Sequence, residues 1–144
     1  MFSALKGSTD SEVMFYLAIT FGLDQDVPGA VARMAGSIEG LGHEQGVELP
    51  LRMTAAVSDG ERLWAFRYSS LRASRSLFCS TGADTVQALQ PDLEVLSEAS
   101  DGTRMVVSEP LGGLPGEWNE VPESSYGVIR PGVDAFLLFV PEPA

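Results

Sequence analysis

The chain has 144 residues, of which 44% are hydrophobic and 20% are charged, the balance of a folded globular protein rather than a disordered one. Its 20 acidic residues outnumber its 9 basic residues, so the formal net charge at pH 7 is −11. Such a surface repels phosphate groups, so nucleic acids and anionic membranes are not expected partners, and solubility is the simplest role of the charge.

The sequence predicts a protein of a reducing, cytoplasmic compartment. Its single cysteine, Cys79, rules out an internal disulfide bond. Residues 1–12 lack the apolar segment of a signal peptide. The longest apolar stretch, residues 13–23, is shorter than the roughly 20 residues that a membrane-spanning helix needs.

The first helix is predicted from a capping signal and an apolar repeat. Thr9 and Glu12 have the S/T-x-x-E spacing of a capping box. Apolar residues then recur at helical spacing, which predicts a helix over about residues 11–21 that ends at Gly22.

A second helix is predicted directly after the first. Pro28 suits a first helical turn, and Gly40 and Gly42 are expected to end the helix. Its apolar stripe consists of Val27, Val31, Met34, Ile38 and Leu41. Because the connection between the two helices is short, we expect them to pack antiparallel.

The remainder of the chain predicts antiparallel strands. Residues 51–57 and 62–68 flank Asp59-Gly60, which is a strong hairpin signal. Further strands are expected over residues 76–80, over 104–108 after a turn at 101–102, and over 126–130 and 135–140 around a turn at 131–132, with residues 141–144 as a tail. Helices followed by antiparallel strands favour an α+β fold in a single domain, residues 1–144.

Neither a metal site nor a cofactor is predicted. One histidine and one cysteine cannot form a zinc site. The segment that begins Asp24-Gln25-Asp26 departs from a calcium loop, because Pro28 and Ala35 occupy ligand positions. The glycine-rich residues 40–46 follow a helix rather than a strand and do not have dinucleotide-binding spacing.

Two sets of residues could serve hydrolysis. A Cys79–His43 dyad would require residues far apart in sequence to meet, and a thiol in a predicted strand is usually buried and structural. Asp10 and Glu12 open the first helix, where carboxylates interact favourably with the helix dipole. The alternative is that Asp10 faces a cleft and binds a ligand ammonium group, although spacing alone favours the cap. A hydrolase that uses Cys79 or the Asp10/Glu12 pair therefore remains one interpretation.

Residues 7–12, GSTDSE, resemble the T-D-S/T-E segment of class II glutamine amidotransferases. The two-helix layout is similar, and later segments resemble the short, stand-alone members of that family in the same order. These segments are the hairpin of residues 58–69, residues 106–111 (VVSEPL), Trp118, and Val121-Pro122. The resemblance covers about residues 7–140.

The resemblance implies that the chain corresponds to the C-terminal half of an αββα sandwich of the N-terminal-nucleophile type. It implies hydrolysis of the amide of glutamine, or of another γ-glutamyl compound, with transfer of the ammonia. It also implies that Asp10 binds the α-amino group of the substrate. In the family, the nucleophile is an N-terminal cysteine whose own amino group acts as the base.

The chain departs from the family at the catalytic residues. It begins Met1-Phe2, and its one asparagine, Asn119, precedes Glu120 rather than the glycine of the family's oxyanion hole. We therefore assign no catalytic residue and expect this chain alone to be inactive, as a fragment, a split subunit or an inactive homologue.

Half of a sandwich also leaves part of a sheet uncovered, so a partner that carries the nucleophile, or a second copy, is expected. The alternative function is a non-catalytic interaction or ligand-binding module that could form a homodimer.

Overall fold

The computed structural model describes residues 5–82, 103–110, 116–130 and 134–143. Two helices come first, α1 (Asp10–Thr20) and α2 (Val27–Glu44). The strands are β1 (Arg52–Ser58), β2 (Leu63–Ser69), β3 (Phe78–Ser80), β4 (Val106–Val107), β5 (Trp118–Glu120), β6 (Ser125–Ile129) and β7 (Ala135–Leu138). The α+β class predicted from the sequence is confirmed. Neither helix is both long enough and apolar enough to cross a lipid bilayer.

The strands form two antiparallel sheets. The four-stranded sheet has the order β1-β2-β6-β7, and the three-stranded sheet has the order β4-β3-β5. The predicted β1–β2 hairpin is confirmed, with Ser58 paired to Leu63. In its turn the Asp59 carboxylate accepts the backbone N–H of Arg62 at 2.7 Å, and Gly60 has a φ of +93°. The expected turns at residues 101–102 and 131–132 lie outside the described residues.

The four-stranded sheet is covered on both faces, which gives three layers. Both helices pack on one face of this sheet, where the core includes Val31, Met34 and Phe66. The opposite face packs on the three-stranded sheet through a smaller core of Ala65, Leu77, Cys79, Val121 and Ile129. The described residues thus form an α-β-β arrangement, in which each face of the four-stranded sheet has its own core.

The prediction that Gly40 and Gly42 end the second helix was wrong. Helix α2 continues to Glu44, and Gly46, with a φ of +71°, follows its end. A Cβ at Gly42 would lie 2.5 Å from the Cβ of Pro50, so this glycine lets the following segment approach the helix. Gly40 is exposed with nothing within 4 Å of the place of a Cβ.

The three-stranded sheet was only partly predicted. Strand β5 was missed, and the third and fourth predicted strands shorten to residues 78–80 and 106–107. Strand β3 lies in the middle of this sheet, with Cys79 paired to Val106 on one side and to Asn119 on the other. Strands of two or three residues are too short for an alternating apolar pattern to reveal them.

The C-terminal segment lies against α2. The N–H of Glu142 donates to the carbonyl of Ala32 at 3.0 Å, and its carboxylate lies 3.7 Å from the guanidinium of Arg33. A Cβ at Gly36 would lie 1.8 Å from the carbonyl oxygen of Glu142, so only glycine permits this approach. Phe139, buried against the ring of Phe66, anchors the same segment in the helix-side core.

Candidate functional site

The candidate substrate-binding residue, Asp10, is the first residue of α1 and is exposed. Thr9 is the N-cap residue, and its hydroxyl accepts the N–H of Glu12 at 3.4 Å. The Oδ1 atom of Asp10 accepts the N–H of Ser11 at 2.7 Å. Its Oδ2 atom accepts no hydrogen bond from the described part of the chain, so half of this carboxylate is open to a ligand.

Glu12 stabilises the segment that leads into α1. Its carboxylate accepts the N–H of Lys6 at 2.9 Å and that of Gly7 at 2.8 Å. A capping box would instead direct this side chain to the N–H of Thr9. A Cβ at Gly7 would lie 2.6 Å from the Glu12 carboxylate, so glycine permits the tight approach. Thr9 and Glu12 thus bond the backbone around the start of α1, whereas Asp10 accepts only the N–H of Ser11 among the described residues.

Asp10 stands beside a groove rather than inside a closed pocket. A narrow apolar groove of about 190 Å³ runs between α1, α2 and β1, and Ser11, the residue after Asp10, lines it. The groove continues beneath Met14 and Ala18 towards Phe66 of the sheet. Asp10 does not line this groove, so the groove does not enclose its carboxylate.

A second, larger cleft of about 860 Å³ lies beside the C-terminal half of α1. Apolar side chains including Phe15 and Trp64 line its walls, and Arg62 and Arg130 contribute positive charge. The guanidinium of Arg62 lies 4.8 Å above the ring of Trp64 and also pairs with Asp59 at 2.9 Å. Sequence reasoning missed this cleft, because its walls come from segments that no single motif connects.

The structure does not bring Cys79 and His43 together. Cys79 is fully buried in the core between the two sheets, whereas His43 is exposed near the end of α2, on the other side of the four-stranded sheet. Burial raises the pKa of the Cys79 thiol to about 11, with a further contribution from the negative charge of Asp134, while Arg104 acts in the opposite direction. A protonated, inaccessible thiol is a poor nucleophile.

A buried ion pair that the sequence did not suggest lies beside Cys79. The side chains of Arg104 and Asp134 are 11% and 8% exposed and form a short contact with each other. Arg104 also donates to the carbonyl of Ser80 from its Nε at 2.7 Å. The pair joins the segment before β4 to the segment before β7, and so it connects the two sheets.

The other residues considered from the sequence, Asp26 and Asn119, lie at a helix start and on a strand. Asp26 is the N-cap residue of α2 and accepts the N–H of Gly29 at 3.2 Å, which explains this acid without a calcium ion. Asn119 is exposed on β5, and the adjacent Glu120 pairs with Arg67 at 2.5 Å. In the part of the chain that the structure describes, no group of three or more His, Cys, Asp or Glu side chains could hold a metal ion.

The chain is similar to a solved structure, that of a glutamine aminotransferase class-II domain protein from Silicibacter pomeroyi. The two sequences are 34% identical over 98% of this chain, with a TM-score of 0.77. This chain covers 56% of the other, so it spans little more than half the length of that protein. No protein-family model and no curated protein matches the chain. The agreement in sequence and in fold therefore supports the class II glutamine amidotransferase family, with an N-terminal-nucleophile-like α+β fold.

Proposed function

We propose that this chain forms one part of a class II glutamine amidotransferase domain and that Asp10 binds the α-amino group of glutamine. The observation that carries the proposal is the 34% identity to a class II domain protein over nearly the whole chain. The product would be ammonia released from the glutamine amide, and the chain would contribute to substrate binding rather than to the attack on the amide.

The position of Asp10 suits this role chemically. Its Oδ1 atom is held by the N–H of Ser11, which fixes the carboxylate while Oδ2 points free of the described residues. An ammonium group has three donors and no acceptor, so an ionised carboxylate is its natural partner.

The nucleophile is proposed to lie on the part of the domain that this chain does not match. Cys79 is the one cysteine, and it is buried with a pKa raised to about 11. A class II amidotransferase attacks the amide with an exposed cysteine, so activity is proposed to need the part of the domain that residues 1–144 do not match. The chain by itself should hydrolyse no glutamine.

Substitution of Asp10 by asparagine tests the binding role. Asparagine keeps an oxygen that can accept the N–H of Ser11 but loses the negative charge. Loss of one charge-assisted hydrogen bond should weaken glutamine binding by roughly 10- to 100-fold. The measurement is the Kd of glutamine by calorimetry, with Asp24→Asn, at another exposed aspartate, as the matched control. Equal glutamine affinity for Asp10→Asn and the control would refute the role of Asp10.

A further inference from the structure

Three arginines line one small recess near the β1–β2 turn. The recess has a volume of about 220 Å³, and its walls include Arg62, Arg104 and Arg130. The chain has only 9 basic residues against 20 acidic ones, and three of the basic residues lie around this one cavity. Glu61 also lines the recess and opposes the arginines in charge. In so acidic a protein, this concentration of guanidinium groups favours an anionic ligand.

The register of the four-stranded sheet places two of these arginines opposite each other. Leu63 pairs with Ile129 in the antiparallel ladder of β2 and β6. One residue further out, Arg62 and Arg130 therefore face each other, and like charges in this position are destabilising. Asp59 offsets the charge of Arg62, whereas Arg130 has no hydrogen bond or ion pair with the described residues. An anion between the two guanidinium groups would relieve their repulsion.

Two of the arginines are already oriented by carboxylates. The Nε and Nη2 atoms of Arg62 bond Asp59 at 3.1 and 2.9 Å, and the Nη2 atom of Arg104 bonds Asp134. The Nη1 atom of each of these arginines has no acceptor among the described residues and is open to a ligand. Because the two side chains are held in place beforehand, an anion that binds them orders little further. Arg130 supplies the positive charge that no carboxylate of the described residues contacts.

The recess adjoins the large apolar cleft beside α1. The two cavities share Ser58, Arg62 and Arg130 among their lining residues. Phe15 and Ile19, which are 52% and 45% exposed, line the cleft but not the recess. The cleft volume of about 860 Å³ is within the range of small-molecule sites. An elongated ligand could therefore place an apolar body in the cleft and an anionic group at the recess.

We propose that the cleft and the recess together bind a small amphipathic anion, in which a carboxylate, sulfonate or phosphate group is joined to an aromatic or other apolar body. The anionic group binds Arg130 and Arg62, and the apolar body packs against Phe15 and Ile19. Ile19 lies about 13 Å further along α1 than Asp10, so this site is separate from the proposed glutamine contact. The proposal thus goes beyond the amidotransferase function and is tested without it.

The first test compares two dyes that share one aromatic body. Anilinonaphthalene sulfonate carries an anionic group, and phenylnaphthylamine lacks it. Both dyes gain fluorescence in apolar surroundings, so each Kd is measured by titration of the full chain, with near-UV circular dichroism to verify that it is folded. We expect one saturable site and roughly 10-fold tighter binding of the sulfonate, the effect of one charge-assisted hydrogen bond. Equal affinities, or no saturable binding of the sulfonate, would overturn the proposal.

Arg130→Gln tests the anionic end of the site. Glutamine keeps a donor but loses the charge, so the Kd of the sulfonate should rise about 10-fold while that of phenylnaphthylamine stays the same. Arg52→Gln is the matched control, because Arg52 is also exposed and lines neither cavity. Glu61→Gln removes the opposing charge and should tighten sulfonate binding. Equal effects of the two arginine substitutions, or weaker sulfonate binding in Glu61→Gln, would show that no anion binds at the recess.

Ile19→Ala tests the apolar end. Each buried methylene contributes about a factor of four in affinity, so the Kd of both dyes should rise roughly 4- to 10-fold. Leu138→Ala is the matched control, since Leu138 is 73% exposed on β7, does not line the cleft, and should leave both Kd values unchanged. If Leu138→Ala weakens binding and Ile19→Ala does not, the dyes bind the exposed strand β7 and the proposed site is wrong.

Discussion

Two alanine substitutions in α2 should have opposite effects on stability. Alanine is favoured over glycine in a helix interior by about 1 kcal/mol. At Gly40 nothing lies within 4 Å of the new methyl group, so Gly40→Ala should raise the free energy of unfolding by roughly 0.5–1 kcal/mol. At Gly36 the same methyl would lie 1.8 Å from the carbonyl oxygen of Glu142, far inside an ordinary contact distance.

At Gly36 the C-terminal segment must move to make room for the new methyl group. This movement weakens the hydrogen bond from Glu142 to Ala32, which contributes about 0.5–1.5 kcal/mol, and overpacking itself costs about 1–3 kcal/mol. After the gain in helix propensity, Gly36→Ala should lower the free energy of unfolding by about 1–2 kcal/mol. The two variants should then differ by roughly 1.5–3 kcal/mol in urea unfolding followed by circular dichroism at 25 °C.

Removal of residues 141–144 provides the control for this comparison. In the shortened chain the obstacle at Gly36 is gone, so Gly36→Ala should become stabilising, as Gly40→Ala is. If Gly36→Ala is as stable as Gly40→Ala in the full chain, the C-terminal segment does not rest on α2 and the reasoning fails.

Two further predictions concern ionisable groups. Because burial raises the pKa of Cys79 to about 11 from 9.0, the thiol should react with iodoacetamide at pH 7.5 at least about 100-fold more slowly in the folded protein than in urea. Intact mass follows both reactions, and equal rates would support a hydrolase that uses Cys79. The pKa of Asp59 is lowered from 3.8 by the backbone N–H groups of Arg62 and Glu61, so its contribution to stability is present above that pH and is lost as the pH falls through the lowered value. Asp59→Asn should therefore reduce the loss of stability as the pH falls below 3.8 in urea titrations, and parallel curves for the two proteins would contradict this.

The parts of the fold that local chemistry determines were predictable. The start of α1 follows from a hydroxyl that caps it, and the β1–β2 hairpin follows from Asp59-Gly60, whose carboxylate and glycine form the turn within four residues. In each case the residues that make the structure are also neighbours in the sequence. The order of helices and strands then sufficed for the α+β class.

The elements that long-range contacts determine were not predictable. Gly42 is a glycine because Pro50 approaches it, and Gly36 is one because Glu142 does. In the sequence these glycines look the same as glycines that end a helix. Strand β5 likewise depends on β3, a partner distant in sequence, and has only three residues in which to display a pattern.

The candidate site was predictable only in part. The sequence identified Asp10, and its resemblance to a known segment suggested the ligand, but spacing alone could not separate a helix cap from a binding residue. In the structure, Thr9 and Glu12 already bond the backbone at the helix start, while one oxygen of Asp10 has no partner among the described residues. A cap at Asp10 is therefore not needed to explain the helix start.

If Asp10 were only a helix cap, it would be largely redundant with Thr9 and Glu12. Measurements of stability can therefore distinguish a cap from a binding residue. Thr9→Ala removes the capping hydroxyl and should cost about 1 kcal/mol. Asp10→Asn keeps an acceptor for Ser11 and loses only the charge–dipole term, about 0.3–1 kcal/mol at low ionic strength and less in salt. We therefore expect Asp10→Asn to impair glutamine binding with a smaller loss of stability than Thr9→Ala causes. If Asp10→Asn instead costs more stability than Thr9→Ala and leaves glutamine affinity unchanged, the acid is a cap, because its effect then lies in the fold and not in the ligand.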